Sequence, residues 1–235
     1  MKIIFSLLLL GTVLSSSAQD KSEKPMPMIT RSIGASFQQF DGLNGRVAEF
    51  PQYEQLKEHA ATLGLGWLKE NNGVVSQGGL NIGSSMSGNH NKKSSTIRYI
   101  GISGDIGYDV LKSDRLMLYP LVGLGVQAYQ AIFYKDNSAV RFDDVLQSPT
   151  VQNNIQSVRF NNIFFVYRLG VGFNVKSPKN PSNAVGIQAG YSGSFKKRSW
   201  RSNEGQMLSN SPEDKLSQIY VGLVLACKPM FKGHW

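Results

Sequence analysis

The 235-residue chain has one cysteine, Cys227, and only three histidines. No intrachain disulfide can form, a structural zinc site lacks its usual donors, and no metal or cofactor is expected. Long apolar segments are equally scarce. The one candidate is MKIIFSLLLLGTVLSSSA at residues 1–18. Its apolar core, from Ile3 to Leu14, is too short to cross a bilayer as a helix. Lys2 before it and the small residues Ser16 and Ala18 after it fit an export signal cleaved after Ala18, leaving one domain over 19–235. Strong helical periodicity is missing from that remainder, which argues against an alternating βαβ sheet. Acidic residues are the minority: 25 Lys+Arg face 16 Asp+Glu, a formal net charge of +9. Lys2 is the only charge in the signal, so its loss leaves +8. A basic exported chain meets anionic lipid headgroups or acidic glycans rather than nucleic acid.

What the chain does have is alternation. Eight runs, roughly 29–40, 60–70, 74–87, 96–111, 117–134, 159–176, 184–196 and 216–228, place apolar residues at every second position, the period of a β-strand. The connections mostly alternate in length. Asn72-Gly73 is a tight hairpin dipeptide, because both central residues of that turn need positive φ. KSDR and KSPKNPSN are also compact. The links at about 41–59, 88–95, 135–158 and 197–215 are longer, and a short amphipathic helix is expected within 43–58.

The second face of each run decides the architecture. In YPLVGLGVQAYQAIFY, one parity holds Val122, Leu124, Val126 and Ile132; the other holds Gly123, Gly125, Gln127 and Tyr129. A soluble sandwich would put charge on the face opposite its core, and glycine there would weaken the strands. These faces carry Gly, Ser, Gln and Tyr, with most charges at strand ends. The arrangement fits an inverted barrel, apolar outside against lipid and mild inside, because eight strands leave a lumen just wide enough for side chains. Trp67, Tyr108 and Phe173 on the outward parity at the short-turn end, and Phe37, Tyr134 and Phe195 at the long-loop end, would form interfacial girdles. The expected fold is all-β: a single eight-stranded antiparallel up-and-down transmembrane barrel with both termini at the short-turn end. The C-terminal KPMFKGHW ends in Trp235, but Pro229 would interrupt a ladder, so the last strand should end near Lys228.

With its signal ending SSSAQ, the segment FDGLNGRVAEFPQYEQL, the following TLGLGW and NNGVVSQGGLNIG, and four later alternating strands, the chain resembles the small eight-stranded outer-membrane barrels of Gram-negative bacteria. SSSAQ and the LN…FP insert are similar to those of Bacteroidota barrels. The resemblance implies an integral outer-membrane protein and transfers no catalytic residue.

Candidate functional residues fall into three groups. Asp105 and Arg168 share the lumen parity and a similar height above the short turns. A charge in so narrow a space needs partners, so one buried ion-pair network is expected there, with Tyr99, Gln127 or Tyr129 nearby. A gated ion path is the alternative use of these residues. Lys196, Lys197, Arg198 and Arg201, with Trp200 among them, cluster where strand seven leaves the membrane and would suit lipopolysaccharide phosphates. His59 and His90, with Ser87, Ser94, Glu58 and Asp41 at the same end, are the only residues that suggest lipid acyl-ester chemistry, and such residues are ordinary in exposed loops. GYSGS at 190–194 lacks the final glycine and the strand–helix turn of a nucleophile elbow. The loop at 135–158, with Phe142, Val145 and Leu146 beside Asp143 and Asp144, would cover the mouth or meet a partner.

The favoured role is therefore non-enzymatic: envelope integrity, surface binding, or an accessory subunit of another outer-membrane complex. A lipid A-modifying enzyme and a soluble periplasmic ligand-binding barrel are the alternatives. Expected partners are outer-membrane lipid and lipopolysaccharide.

Overall fold

The computed structural model describes residues 27–85, 92–178 and 183–227. The expected signal, His90, Ser87 and KPMFKGHW lie outside them. Eight strands follow in order: β1 (Met28–Gln39), β2 (His59–Asn71), β3 (Val74–Ser84), β4 (Ser94–Tyr108), β5 (Leu116–Tyr134), β6 (Val158–Lys176), β7 (Ala184–Ser194) and β8 (Ser217–Cys227). Each pairs antiparallel with its sequence neighbours, and β8 returns to β1. The barrel is closed and up-and-down.

The closure can be followed residue by residue. Ile29 pairs with Trp67, then in turn come Gly78, Gly104, Leu124, Tyr167, Gly193 and Ser217, and the circuit returns to β1 at Gln39. Ten residues separate its start from its end. An even offset matters, because a side chain that faces lipid on one strand then meets lipid-facing neighbours all the way round. With eight strands it corresponds to a strand tilt of about 40°.

The outward parity is apolar and uncovered. Ile33, Ile102, Val122 and Leu124 are each at least 60% exposed, a fraction that only a lipid contact makes reasonable for so many neighbouring aliphatics. Trp67, Tyr108 and Phe173 are exposed near one end; Phe37 and Phe195 are exposed near the other. Ile132 departs from the expectation, being only 2% exposed, and Thr96 and Ser94 of β4 on the same parity are also buried. It lies near the tip of the β5–β6 hairpin, whose strands have 19 residues each against 11 in β3, β7 and β8. At that height the outward side of the wall is covered by other parts of the protein, so outward no longer means towards lipid.

The short turns have local causes. Asn72 and Gly73 take φ of 51° and 82°, the paired positive values of a two-residue hairpin, and Glu70 accepts a hydrogen bond from the Gly73 amide at 3.1 Å. At the next short connection, the Asp109 carboxylate accepts from the amides of Leu111 and Leu118 at 3.2 and 3.0 Å.

At the opposite end, α1 (Asp41–Ala48) follows β1 directly. It covers only the start of the expected helical stretch, because Pro51 cannot continue the hydrogen-bond ladder. Helices α2 (Phe142–Gln147) and α3 (Pro149–Ile155) occupy the β5–β6 loop, and none of their residues is buried. They do not cover the mouth. That is done by α1 with the segment before β8.

Candidate functional site

The lumen is built in three layers. At the short-turn end, Met28, Leu68, Val75, Met117, Tyr119, Leu121, Ala184 and Ala226 form one buried apolar cluster. The middle layer is polar. Arg168 on β6 donates from Nε to Asp105 Oδ1 at 2.9 Å, and Gln77 donates to the other carboxylate oxygen at 2.9 Å. The Arg168 guanidinium lies 4.6 Å from the centre of the Tyr220 ring and reaches the Ser192 hydroxyl at 3.5 Å. With side chains 10% and 3% exposed, Arg168 and Asp105 are out of bulk water. Their mutual attraction and the added donors must offset that desolvation.

Above this pair is a second, separate network. Tyr129 donates to Gln127 at 2.8 Å, Gln127 donates to Gln218 at 3.1 Å, and Gln218 donates back to Tyr129 at 3.1 Å. Tyr99 packs its ring 5.0 Å from that of Tyr129. The five lumen residues singled out in the sequence are thus all buried, but in two clusters. Gln77, Ser192, Gln218 and Tyr220 were not singled out. Their only sequence signal is lumen parity, which marks a face and not a contact.

Glycine leaves the space these side chains occupy. A Cβ on Gly123 would stand 2.0 Å from Asp105 Oδ1, and one on Gly172 would stand 2.3 Å from the Tyr119 ring. Each glycine is the direct cross-strand partner of the residue it accommodates. Substitution Gly123→Ala should therefore push Asp105 away from Arg168 and cost about 1–3 kcal/mol in overpacking. Urea unfolding of the refolded barrel measures it. An unchanged midpoint would mean that Asp105 moves freely.

The third layer closes the long-loop end. Phe40, Leu43, Val47 and Leu56 pack with Ile97, Phe133, Phe164, Trp200 and Leu216 in one cluster that reaches down to Tyr99 and Tyr129. Asp214, 4% exposed, fastens it. Its carboxylate accepts from the amides of Gly42 and Leu43 at 2.7 and 3.0 Å, and from Trp200 Nε1 at 2.7 Å. Phe40, at the helix N-cap, provides no side-chain cap. An aspartate 172 residues away instead satisfies the first amides of α1 and complements its dipole. Trp200, fully buried, belongs to this roof and not to the exposed basic strip.

Two polar cavities of about 60 Å³ each, both lined by Ser32, Asn81, Arg168 and Gln188, flank the ion pair. Each is the size of one or two water molecules. They lie between the apolar layers above and below. On top of the roof lies an apolar cleft of about 500 Å³ between α1 and the inner face of the long hairpin, lined by Phe50, Tyr53, Phe133 and Phe160. Burial there lifts the Tyr53 hydroxyl above its usual pKa.

The basic residues occupy the outer wall. Lys196, Lys197, Arg198 and Arg201 are all exposed. Arg198 lies over the lipid-facing ring of Phe165 at 5.6 Å, within cation–π range. The backbone beneath them is fixed: Arg201 and Ser202 pair with Asn161 and Phe160 of β6, and Asn162 donates to the Arg198 carbonyl at 3.0 Å.

Nothing resembles a hydrolytic centre among the described residues. No hydrogen bond joins exposed His59 to Ser94, Glu58 or Asp41, and the buried Ser94 hydroxyl has no hydrogen-bond partner. Ser192 and Ser194 of GYSGS lie inside β7, where Ser194 accepts from the Leu216 amide at 2.9 Å. Among the described residues, no group of His, Cys, Asp and Glu is placed to hold a metal.

The family model for the outer membrane protein beta-barrel domain matches residues 6–226. The chain belongs to that family. It is an integral protein of the outer membrane. Among solved structures it is similar to Ail, the attachment invasion locus protein of Yersinia pestis, at 14% identity over 87% of this chain and 99% of that one, with a TM-score of 0.47. A major outer membrane protein from Thermus thermophilus gives 11% identity, 85% and 98% coverage, and a TM-score of 0.47. For Neisserial surface protein A the values are 9%, 85%, 96% and 0.41. No curated protein matches the sequence.

Proposed function

We propose that this barrel is a non-enzymatic envelope protein whose work is done by its outer surface: binding lipopolysaccharide through its basic strip and stiffening the lipid layer around it. The observation that carries this reading is the lumen, sealed by an apolar layer at each end and tied across its centre by Arg168 and Asp105. A sealed barrel has no transport path, and the described residues offer no nucleophile, base and oxyanion donors together. What remains is the wall and the loops. Lys196, Lys197, Arg198 and Arg201 supply cations for phosphate oxygens at the level where lipopolysaccharide carries them. On this reading residues 1–18 are the export signal and 19–235 the mature chain.

Membrane fractionation with a heat-modifiability gel tests the placement. The unboiled protein should fractionate with outer membranes and migrate differently from the boiled form, with Gln19 at its N-terminus. Reconstituted in planar bilayers, it should give no steady conductance. Lipid A from a deletion strain should keep its acylation pattern. Altered acylation would replace this reading with a lipid-modifying enzyme, and a soluble protein without a mobility shift would replace it with a periplasmic ligand carrier.

A further inference from the structure

Three of the four basic residues line a cleft, and the cleft is two-natured. Lys197, Arg198 and Arg201 line it together with Ile163 and Phe165 of β6 and with Met207, the bridge partner of Arg201, around a volume of about 670 Å³. Lys196 is not part of the lining. Ile163 and Phe165 are 51% and 56% exposed on the lipid-facing parity. Above them the same wall turns polar: Gln130 and Asn161 bond to each other at 3.2 Å, and Arg98 pairs with Gln130. The cleft therefore straddles the level at which the barrel leaves the hydrocarbon. Its one carboxylate, Glu213, accepts a hydrogen bond from the Ser199 hydroxyl at 3.1 Å, and against it the three cations remain in excess.

We infer that this cleft is a specific seat for the lipid A part of lipopolysaccharide, one acyl chain lying along Ile163, Phe165 and Met207 while a phosphate meets Lys197, Arg198 and Arg201. The inference rests on the proposed lipopolysaccharide-binding function and replaces a diffuse basic patch with a bound molecule. Three features support this occupant. The charge is complementary to phosphate, and guanidinium groups can meet phosphate oxygens in pairs. The apolar floor continues the membrane surface, so a chain can enter from the bilayer without crossing water. The seat is also formed in advance. Its backbone is held by the β6 pairing of Arg201 and Ser202, by Asn162 on the Arg198 carbonyl, and by the ladder that sets Ser199 against Glu213 and Arg198 against Asp214. Pre-formed sites lose less ordering entropy on binding.

The test uses the full mature chain in nanodiscs of neutral phosphatidylcholine, titrated with fluorescent lipopolysaccharide. Binding should weaken at least tenfold for the double substitution Arg198→Gln/Arg201→Gln. It should also weaken severalfold for Met207→Asn, which leaves every charge unchanged and makes only the apolar part of the lining polar. Lys196→Gln should change it less than twofold, and dephosphorylated lipopolysaccharide should bind at least tenfold more weakly. Heat-modifiability of each variant shows that it has folded. If Lys196→Gln costs as much as the arginine substitutions while Met207→Asn costs nothing, the cleft is wrong and a diffuse lipopolysaccharide-binding patch stands. Equal competition by phosphatidylglycerol would make the seat a general anionic-lipid site and overturn its assignment to lipid A. No lipopolysaccharide binding by the unsubstituted protein would end both readings.

Discussion

Replacing Arg168 with alanine should destabilise the barrel by about 3–5 kcal/mol, the cost of leaving a buried carboxylate without its cation. The number is large because Asp105 has nowhere to go. It is nearly excluded from water, and it lies close against the backbone of its cross-strand partner Gly123. Gln77 would remain as a donor, but one neutral amide does not balance a charge. Substitution Asp105→Ala should be comparably costly, because it strands the guanidinium with only the Tyr220 face and a long contact to Ser192. The double replacement should cost less than the sum of the two by about 3 kcal/mol, since removing both charges leaves neither stranded. Urea unfolding of the refolded barrel, followed by the mobility shift, gives all three values. Additive singles would mean that the two residues do not act as a pair. Unchanged stability in Arg168→Ala, together with a new conductance, would turn the middle layer from a strut into a gate.

How far the sequence discloses this molecule depends on the range of each interaction. The strands are legible because side chains alternate with a period of two, and closing the barrel with an even offset keeps that parity everywhere. Asn72-Gly73 is legible because few dipeptides tolerate two positive φ values in succession. The heights of Asp105 and Arg168 can be counted from the nearest turns, since a strand has a constant rise per residue. The roof has no such ruler. Asp214 reaches α1 across 172 residues, and contacts between two irregular loops leave no period in either. Trp200 shows the consequence: between Ser199 and Arg201 it reads as part of a basic surface, yet it is the largest fully buried side chain of the molecule's outer end. Ile132 fails for a related reason. Parity reports which side of the wall a residue occupies, but not whether lipid still lies there.

Asp214→Ala should open the roof while leaving the barrel standing. The substitution removes the acceptor for two backbone amides and one indole N–H in a site closed to water. Each buried donor left unsatisfied costs about 1–3 kcal/mol, so local opening should become easier by about 3 kcal/mol or more. The strand ladders do not involve this carboxylate, and Asp214 itself pairs through its backbone with Arg198 alone, so the urea midpoint of the barrel should move much less. Hydrogen exchange separates the two effects: the amides at 40–48 should lose protection while those of β4 to β6 keep it. Asparagine at the same position should restore little, because it has a single acceptor oxygen and would aim an N–H₂ at other donors. If exchange over α1 stayed unchanged, apolar packing around Phe40 would hold the helix without its distant cap. The same variant reaches the outer wall. Asp214 lies opposite Arg198 in the ladder, so loosening the roof frees the strip that carries Arg198 and Arg201. Lipopolysaccharide binding should then weaken although no cation has been removed, because a seat that must be ordered on binding holds its ligand less tightly than one already formed.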